Sequence, residues 1–199
     1  GIIGRHQYIE LIGATADLAK SMFENIRLDL MTNELLLADF PETIFPINAL
    51  KGESRRAAGQ LHHGERTHIE WTANKLVFPA IPGSKAAGTV IESNGLTGSI
   101  RGRKYTRFDG RTVRPSLVII DDPQTDESAK SPSQCKARES LINGTILNLA
   151  GPGQKISAVM PCTVIAEGDL ADRMLNRDIH PEWQGERTKL VYSFPSNHE

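Results

Sequence analysis

"SLVIIDDPQT" (residues 116–125) decides the fold, because a short apolar run ends abruptly on two adjacent aspartates and a proline. Leu117, Val118, Ile119 and Ile120 are continuous, the pattern of a parallel strand covered on both faces. Two readings of Asp121 and Asp122 are open at that strand's end. Aspartate and proline both disfavour a continuing ladder, so the pair can serve simply to stop the strand. In open α/β sheets, however, ligands gather beyond the carboxyl ends of the strands. There one carboxylate can hold Mg²⁺ through water while its neighbour orients or deprotonates an attacking water.

The flanking sequence favours such a sheet. "YIELIG" (residues 8–13) reads as a buried strand, followed by a helix that Thr15 or Asp17 can cap. Leu18, Met22, Ile26 and Leu30 form its apolar stripe, with Ala19 and Phe23 beside them. Pro41 and Pro46 in "FPETIFP" are expected to break the helical pattern. "KGESRRAAGQLHHGER" reads as a polar connection in which His62 and His63 are an exposed pair. "HIEWTANKLVFPAI" suggests two short strands around a turn at Ala73, Asn74 and Lys75, and "GTVIESNGLTGSIRG" a strand leading into a glycine-punctuated turn.

Beyond the aspartates a helix is well marked. Ser131 is its expected N-cap, Pro132 its first residue, and Gln134 the partner in an S-x-x-Q capping box. Leu141, Ile142, Thr145, Ile146 and Leu149 give it an apolar side, and "GPG" at residues 151–153 is expected to stop it. "KISAVMPCTVI" then reads as a strand, "GDLADRML" as a short helix opened by Asp169, and "RTKLVYSF" as a last strand. This alternation predicts an α/β domain with a mostly parallel sheet and helices on its faces.

Composition narrows the function. Hydrophobic residues make up 39% and charged residues 24% of the 199, and no apolar stretch is long enough to span a bilayer. Nothing resembles a signal peptide, so a cytoplasmic protein is expected, and the opening "GIIGRHQYIEL" without Met suggests a fragment. Cys135 and Cys162 lack C-x-x-C spacing, which points to reduced thiols and away from zinc. A net charge of −1 gives no global basic footprint for nucleic acid. Locally, "RGRKYTRFDGRTVR" gathers Arg101, Arg103, Lys104, Arg107, Arg111 and Arg114 around Tyr105 and Phe108. It is either a solvated loop or a surface for the phosphate of a nucleotide or a DNA backbone.

Two strand ends thus carry polar residues, Asp121-Asp122 and Cys162-Thr163, and adjacent parallel strands would bring them to one cleft. Such a cleft suits nucleotide hydrolysis, where catalysis is mainly positioning and charge stabilisation around a metal.

At this point the chain resembles a family. "RPSLVIIDDPQTDESAKS" is similar to the Walker B segment of the large terminase subunit of tailed bacteriophages and prophages, the ATP-driven motor that packs DNA into the capsid. "YIELIGATADLAKSMFENIRLDLMTNELLLADFPE" resembles the strand and helix that follow the phosphate-binding loop in that family, and "SIRG" and "MPCTVIAEGDLADRML" continue the match in order, the latter where a coupling motif belongs.

The resemblance covers nearly all of residues 1–199 and implies an incomplete P-loop NTPase core of the RecA/ASCE-like type. It assigns Asp121 to the Walker B acid that holds Mg²⁺ through water, and Asp122 to the catalytic acid, a position that is Glu in many relatives. Thr163 falls at the coupling position, where a hydroxyl would sense the γ-phosphate of ATP. Arg101 becomes a phosphate-sensing or trans-acting arginine, with a structural salt bridge as its alternative. The implied partners are double-stranded DNA, a small terminase subunit, a portal protein and further copies in a ring, inside a bacterial host cell and with no membrane.

One expected motif is missing: no G-x-x-x-x-G-K-[ST] occurs in these residues, and "IPGSKAAGT" lacks its first glycine and its Gly-Lys pair. The nuclease domain of full-length relatives also has no counterpart. The chain by itself is therefore expected neither to hydrolyse ATP nor to hold a bound cofactor. Two other functions compete: a non-catalytic module with a degenerate ATPase fold that binds DNA or another subunit, and a metal nuclease drawing on Asp121, Asp122, Asp126 and Glu127.

Overall fold

The structure, a computed structural model, describes residues 1–189 and 191–193. In chain order, β1 (Tyr8–Gly13) is followed by α1 (Ala16–Thr32), α2 (Glu34–Asp39) and α3 (Pro41–Ala49). Next come β2 (Leu61–His62) and β3 (Glu65–Arg66), then β4 (Glu70–Trp71), β5 (Lys75–Val77) and β6 (Val90–Gly95). β7 (Tyr105–Thr106) and β8 (Thr112–Val113) precede β9 (Leu117–Asp121), α4 (Asp126–Ala129), α5 (Pro132–Gly144), β10 (Ser157–Val159) and α6 (Leu170–Met174).

Six strands form one sheet in the order β10-β9-β1-β6-β5-β4. β10, β9, β1 and β6 are mutually parallel, while β5 runs antiparallel to β6, and β4 antiparallel to β5. The expected α/β architecture with a mostly parallel sheet is therefore present. β1 is buried along its whole length and lies at the centre. Because successive side chains of a strand point to opposite faces, the sheet separates two cores. Ile9 and Leu11 pack with Phe23, Leu30, Ile44 and Ile47 of α1 and α3. On the other face Ile12, Val118 and Ile120 pack with Ile142 of α5 and Leu170 of α6. Each such side chain, fully buried, contributes roughly 1.5–3 kcal/mol relative to exposure.

Several local expectations meet a different outcome. Thr15 caps α1, its hydroxyl accepting from the Leu18 N–H at 3.3 Å, while Asp17 occupies the first turn. Leu18 is 52% exposed, and Ala19, Phe23 and Leu30 carry the buried face. An i+4 row drifts ~40° per step around a helix, so a row with Leu30 inside has Leu18 on its flank. The expected break occurs at Pro41, since α2 ends at Asp39 and Phe40 is non-helical, but Pro41 also opens α3 at its first position, where no N–H is needed, and α3 continues through Pro46. Ser131 is the N-cap of α5, but its hydroxyl meets Ser133 at 3.1 Å and makes no capping bond. The reciprocal capping box belongs instead to Thr125 and Ser128, which open α4.

α5 ends at Gly144, ahead of "GPG", and a 3-10 turn at Ile146–Asn148 keeps Ile146 and Leu149 in the core. Of "KISAVMPCTVI" only Ser157–Val159 is strand, since the ladder stops just before Pro161, which has no N–H to offer. Of "RTKLVYSF", residues 187–189 and 191–193 carry no strand, and Leu190 and Phe194 lie outside the described residues. No helix among the described residues is long and apolar enough to cross a membrane.

Two glycines set how close α1 comes to the sheet. A Cβ on Gly13 would stand 2.6 Å from the Ala19 nitrogen, and one on Gly95 2.6 Å from the Ala16 nitrogen. Both neighbours are backbone, so neither can yield by rotating a side chain. Gly13→Ala is expected to lower stability by about 1–3 kcal/mol through overpacking, read as a lower urea midpoint at unchanged slope. An unchanged midpoint would mean that α1 stands farther off.

Candidate functional site

Asp121 is the last residue of β9 and is level with Gly13 of β1, which in turn is level with Gly95 of β6. Asp122 follows in the left-handed region, at φ 42°, a conformation that few residue types other than glycine adopt but aspartate tolerates. This turns the chain off the strand, and the Asp122 N–H donates to the Pro161 carbonyl at 3.0 Å. Both aspartates are exposed, and among the described residues their carboxylates enter no hydrogen bond or ion pair. An unpaired, solvent-facing carboxylate fits a hydrated Mg²⁺, which keeps most of its own waters.

The segment after β10 lies against them. Gln124, almost fully buried, donates from Nε2 to the Thr163 carbonyl at 2.8 Å and to Asp169 Oδ2 at 2.9 Å, and its Oε1 accepts from the Leu170 N–H at 3.0 Å. Asp169 has no exposed surface; it also accepts from the N–H groups of Ile165 (2.6 Å), Ala166 (3.0 Å) and Asp172 (2.9 Å). Burial by itself would raise its pKa, but those backbone donors and Gln124 overcome this and hold it below the usual carboxylate range. Cys162 sits close to the same carboxylates. Cys162 is exposed, but the partial cover over its thiol, reinforced by Asp122 and Asp169, pushes it up to about 11, which disfavours the thiolate.

The structure thus brings Asp121, Asp122 and the 161–163 segment to one end of the sheet, with the Thr163 side chain exposed. Arg101 lies elsewhere. It is exposed, its Nε donates to the Thr145 hydroxyl at 3.4 Å just beyond α5, and it borders a surface pocket with Lys75, Glu92, Arg103 and Lys104. Asp126 and Glu127 fall in the exposed first turn of α4. Among the described residues no group of three or more His, Cys, Asp or Glu is placed to hold a metal.

Sequence reasoning overlooked two buried polar sets. Asp169 was legible only as a helix cap and Gln124 had no reading at all, because a polar side chain in a loop gives no sign in sequence that it is buried. Glu10 sat unnoticed inside "YIELIG", although a glutamate is rare at the centre of a buried strand. It is fully buried and level with Glu92 of β6. Its Oε1 accepts from Asn94 Nδ2, and its Oε2 has no partner. Arg103 spans the set, donating to Glu92 Oε1 at 3.5 Å and to the Ser99 carbonyl at 3.1 Å, and the Tyr8 hydroxyl donates to Glu92. Burial pushes the Glu10 carboxyl up to about 8; the Asn94 hydrogen bond opposes this, Glu92 adds to it, and Arg103 opposes it.

No protein-family model and no curated protein matches the sequence.

A raised carboxyl pKa has a definite sign in the stability. Between the ordinary 4.5 and about 8 the folded chain holds a proton at Glu10 that the unfolded chain releases, so stability falls as pH rises through that window. Urea unfolding is expected to show this decline in the parent sequence. Glu10→Gln, which keeps an acceptor for Asn94, is expected to flatten the decline and to be the more stable protein above pH 8. A parallel slope in the two proteins would place the linkage elsewhere.

Proposed function

We propose that the chain is the central part of the ATPase domain of a terminase-like DNA-packaging motor, with nucleotide hydrolysis centred on the carboxyl end of β9. The observation that carries this is the pair of exposed, unpaired carboxylates at Asp121 and Asp122, set beside the 161–163 segment at the end of a parallel sheet. The resemblance of the "RPSLVIIDDPQTDESAKS" segment adds the family. Mg²⁺, when bound with ATP, would neutralise phosphate charge, and Asp121 is the residue that would hold it through water. Asp122 is the candidate to orient the attacking water. Its short side chain is displaced off the strand by the left-handed backbone, which changes where the carboxylate can reach.

The exposed Thr163 hydroxyl is the candidate γ-phosphate sensor. A change there would pass through the Thr163 carbonyl and Gln124 to Asp169 and α6, because these groups share one buried hydrogen-bond set. The lysine and the amide cradle of a phosphate-binding loop do not occur in residues 1–199. In this proposal the longer parent supplies them. The outer side of β10, unpaired among the described residues, leaves room for another parallel strand.

A second reading, a non-catalytic module that binds DNA or another subunit, is favoured by that missing loop and by the exposed basic segment around Arg101, Arg103 and Lys104. The two separate on one experiment in the full-length parent. Asp121→Ala is expected to abolish steady-state ATP hydrolysis, and Asp122→Asn to lower kcat by about 100-fold or more while the nucleotide Kd changes little. Retained turnover in Asp121→Ala removes the ATPase reading in favour of the binding module.

A further inference from the structure

The structure brings together two polar stretches that stand far apart in the sequence, "QLHHGERTH" and "KYTRFDGR". Residues 57–60 ahead of β2, Arg66 at the end of β3 and the segment leading into β4 form one wall of a cavity of about 330 Å³, and residues 105–108 of the β7–β8 hairpin form the other. Gly59, Arg66, His68, Glu70, Arg107 and Phe108 line it. From these features we infer that this cavity binds an unpaired nucleotide of a nucleic-acid strand, its base stacked on the His68–Phe108 pair and its phosphate neutralised by arginine.

The two rings lie 4.7 Å apart at 12°, a stacked arrangement, and Phe108 is 53% exposed. An exposed aromatic ring costs solvation unless something covers it, and the flat face of a base is the matching partner for a stacked pair. His68 places its ring there from a left-handed backbone, φ 49°, a region uncommon for non-glycine residues but one that histidine adopts more readily than most.

The charges suit a nucleotide as well. Arg66 is exposed at the rim. Arg107 is buried; its Nη2 donates to the Ala87 carbonyl at 2.7 Å, while its Nε has no hydrogen-bond partner and stands 3.8 Å from Asp109. Across the cavity from Arg107, and on the same wall as Arg66, Glu70 is fixed by the Tyr105 hydroxyl at 2.6 Å and by Lys75 at 2.6 Å. That carboxylate can accept an exocyclic amine of a base, which leaves the phosphate to the exposed Arg66 at the rim. Duplex DNA does not present this combination, because neighbouring bases cover each base face. The occupant is therefore a single-stranded segment, and the inference stands whether or not the ATPase proposal does.

Fluorescence anisotropy of the 199-residue chain with a labelled 12-nucleotide oligodeoxycytidylate tests it. The strand is expected to bind about ten-fold tighter than a duplex of equal length, and Phe108→Ala to weaken it by about ten-fold. Phe108→Trp, which keeps a stacking ring, is expected to retain binding and shows that the site rather than the fold was altered. Equal affinity for duplex, undiminished affinity in Phe108→Ala, or no binding would overturn the inference. Displacement of the strand by cytidine monophosphate at matching concentration would also overturn it, by making the occupant a free nucleotide.

Discussion

Everything at the candidate site depends on the register of three parallel strands. β1 pairs with β6 on one side and β9 on the other so that Gly95, Gly13 and Asp121 finish level. The absence of side chains at the two glycines lets α1 begin within van der Waals contact of the sheet end, while the third position carries the carboxylate. Parallel hydrogen bonding makes that level collective. A one-residue slip of β9 would move Asp121 and also turn Val118 and Ile120 out of the core that they share with Ile12 and Ile142. The hydrophobic core thus holds the carboxylate in place through the register of β9.

The fold was legible because its principal strands are short, apolar and bounded by turn residues. "YIELIG" and "LVIID" read as strands and are strands, the first buried throughout and the second only at Val118 and Ile120, and Thr15 and Asp169 announced the helices they cap. Failures came where two local signals compete. Proline at the first position of a helix looks the same in sequence as a proline that ends one, which concealed α3. Ser131 and Thr125 both stand at helix N-caps six residues apart, but only Thr125 has a serine three residues on, Ser128, that closes a reciprocal capping box. The β7–β8 hairpin has two-residue strands, too short to show an alternating pattern inside a run of arginines.

The candidate site was half legible for a similar reason. Adjacent aspartates at a strand end are visible as a motif, and the arrival of residues 161–163 beside them follows from the parallel order of β9 and β10. The Gln124–Asp169 set is different, since its partners are 45 residues apart and meet only after the sheet has formed. Glu10 contrasts with it. Asp169 is surrounded by backbone donors and stays ionised at little cost, whereas Glu10 keeps one oxygen unpartnered and favours its neutral form. One buried carboxylate secures a joint beside the end of β9, and the other places a proton-sensitive group in the middle of the sheet.

The central claim is that nucleotide chemistry occurs at the carboxyl end of β9. The most direct measurement is a structure of the full-length parent with Mg²⁺ and a non-hydrolysable ATP analogue. The account predicts the metal joined to Asp121 through water, with the γ-phosphate facing Asp122 and Thr163. A nucleotide bound away from that strand end, with Asp121 and Asp122 facing only solvent, would contradict it.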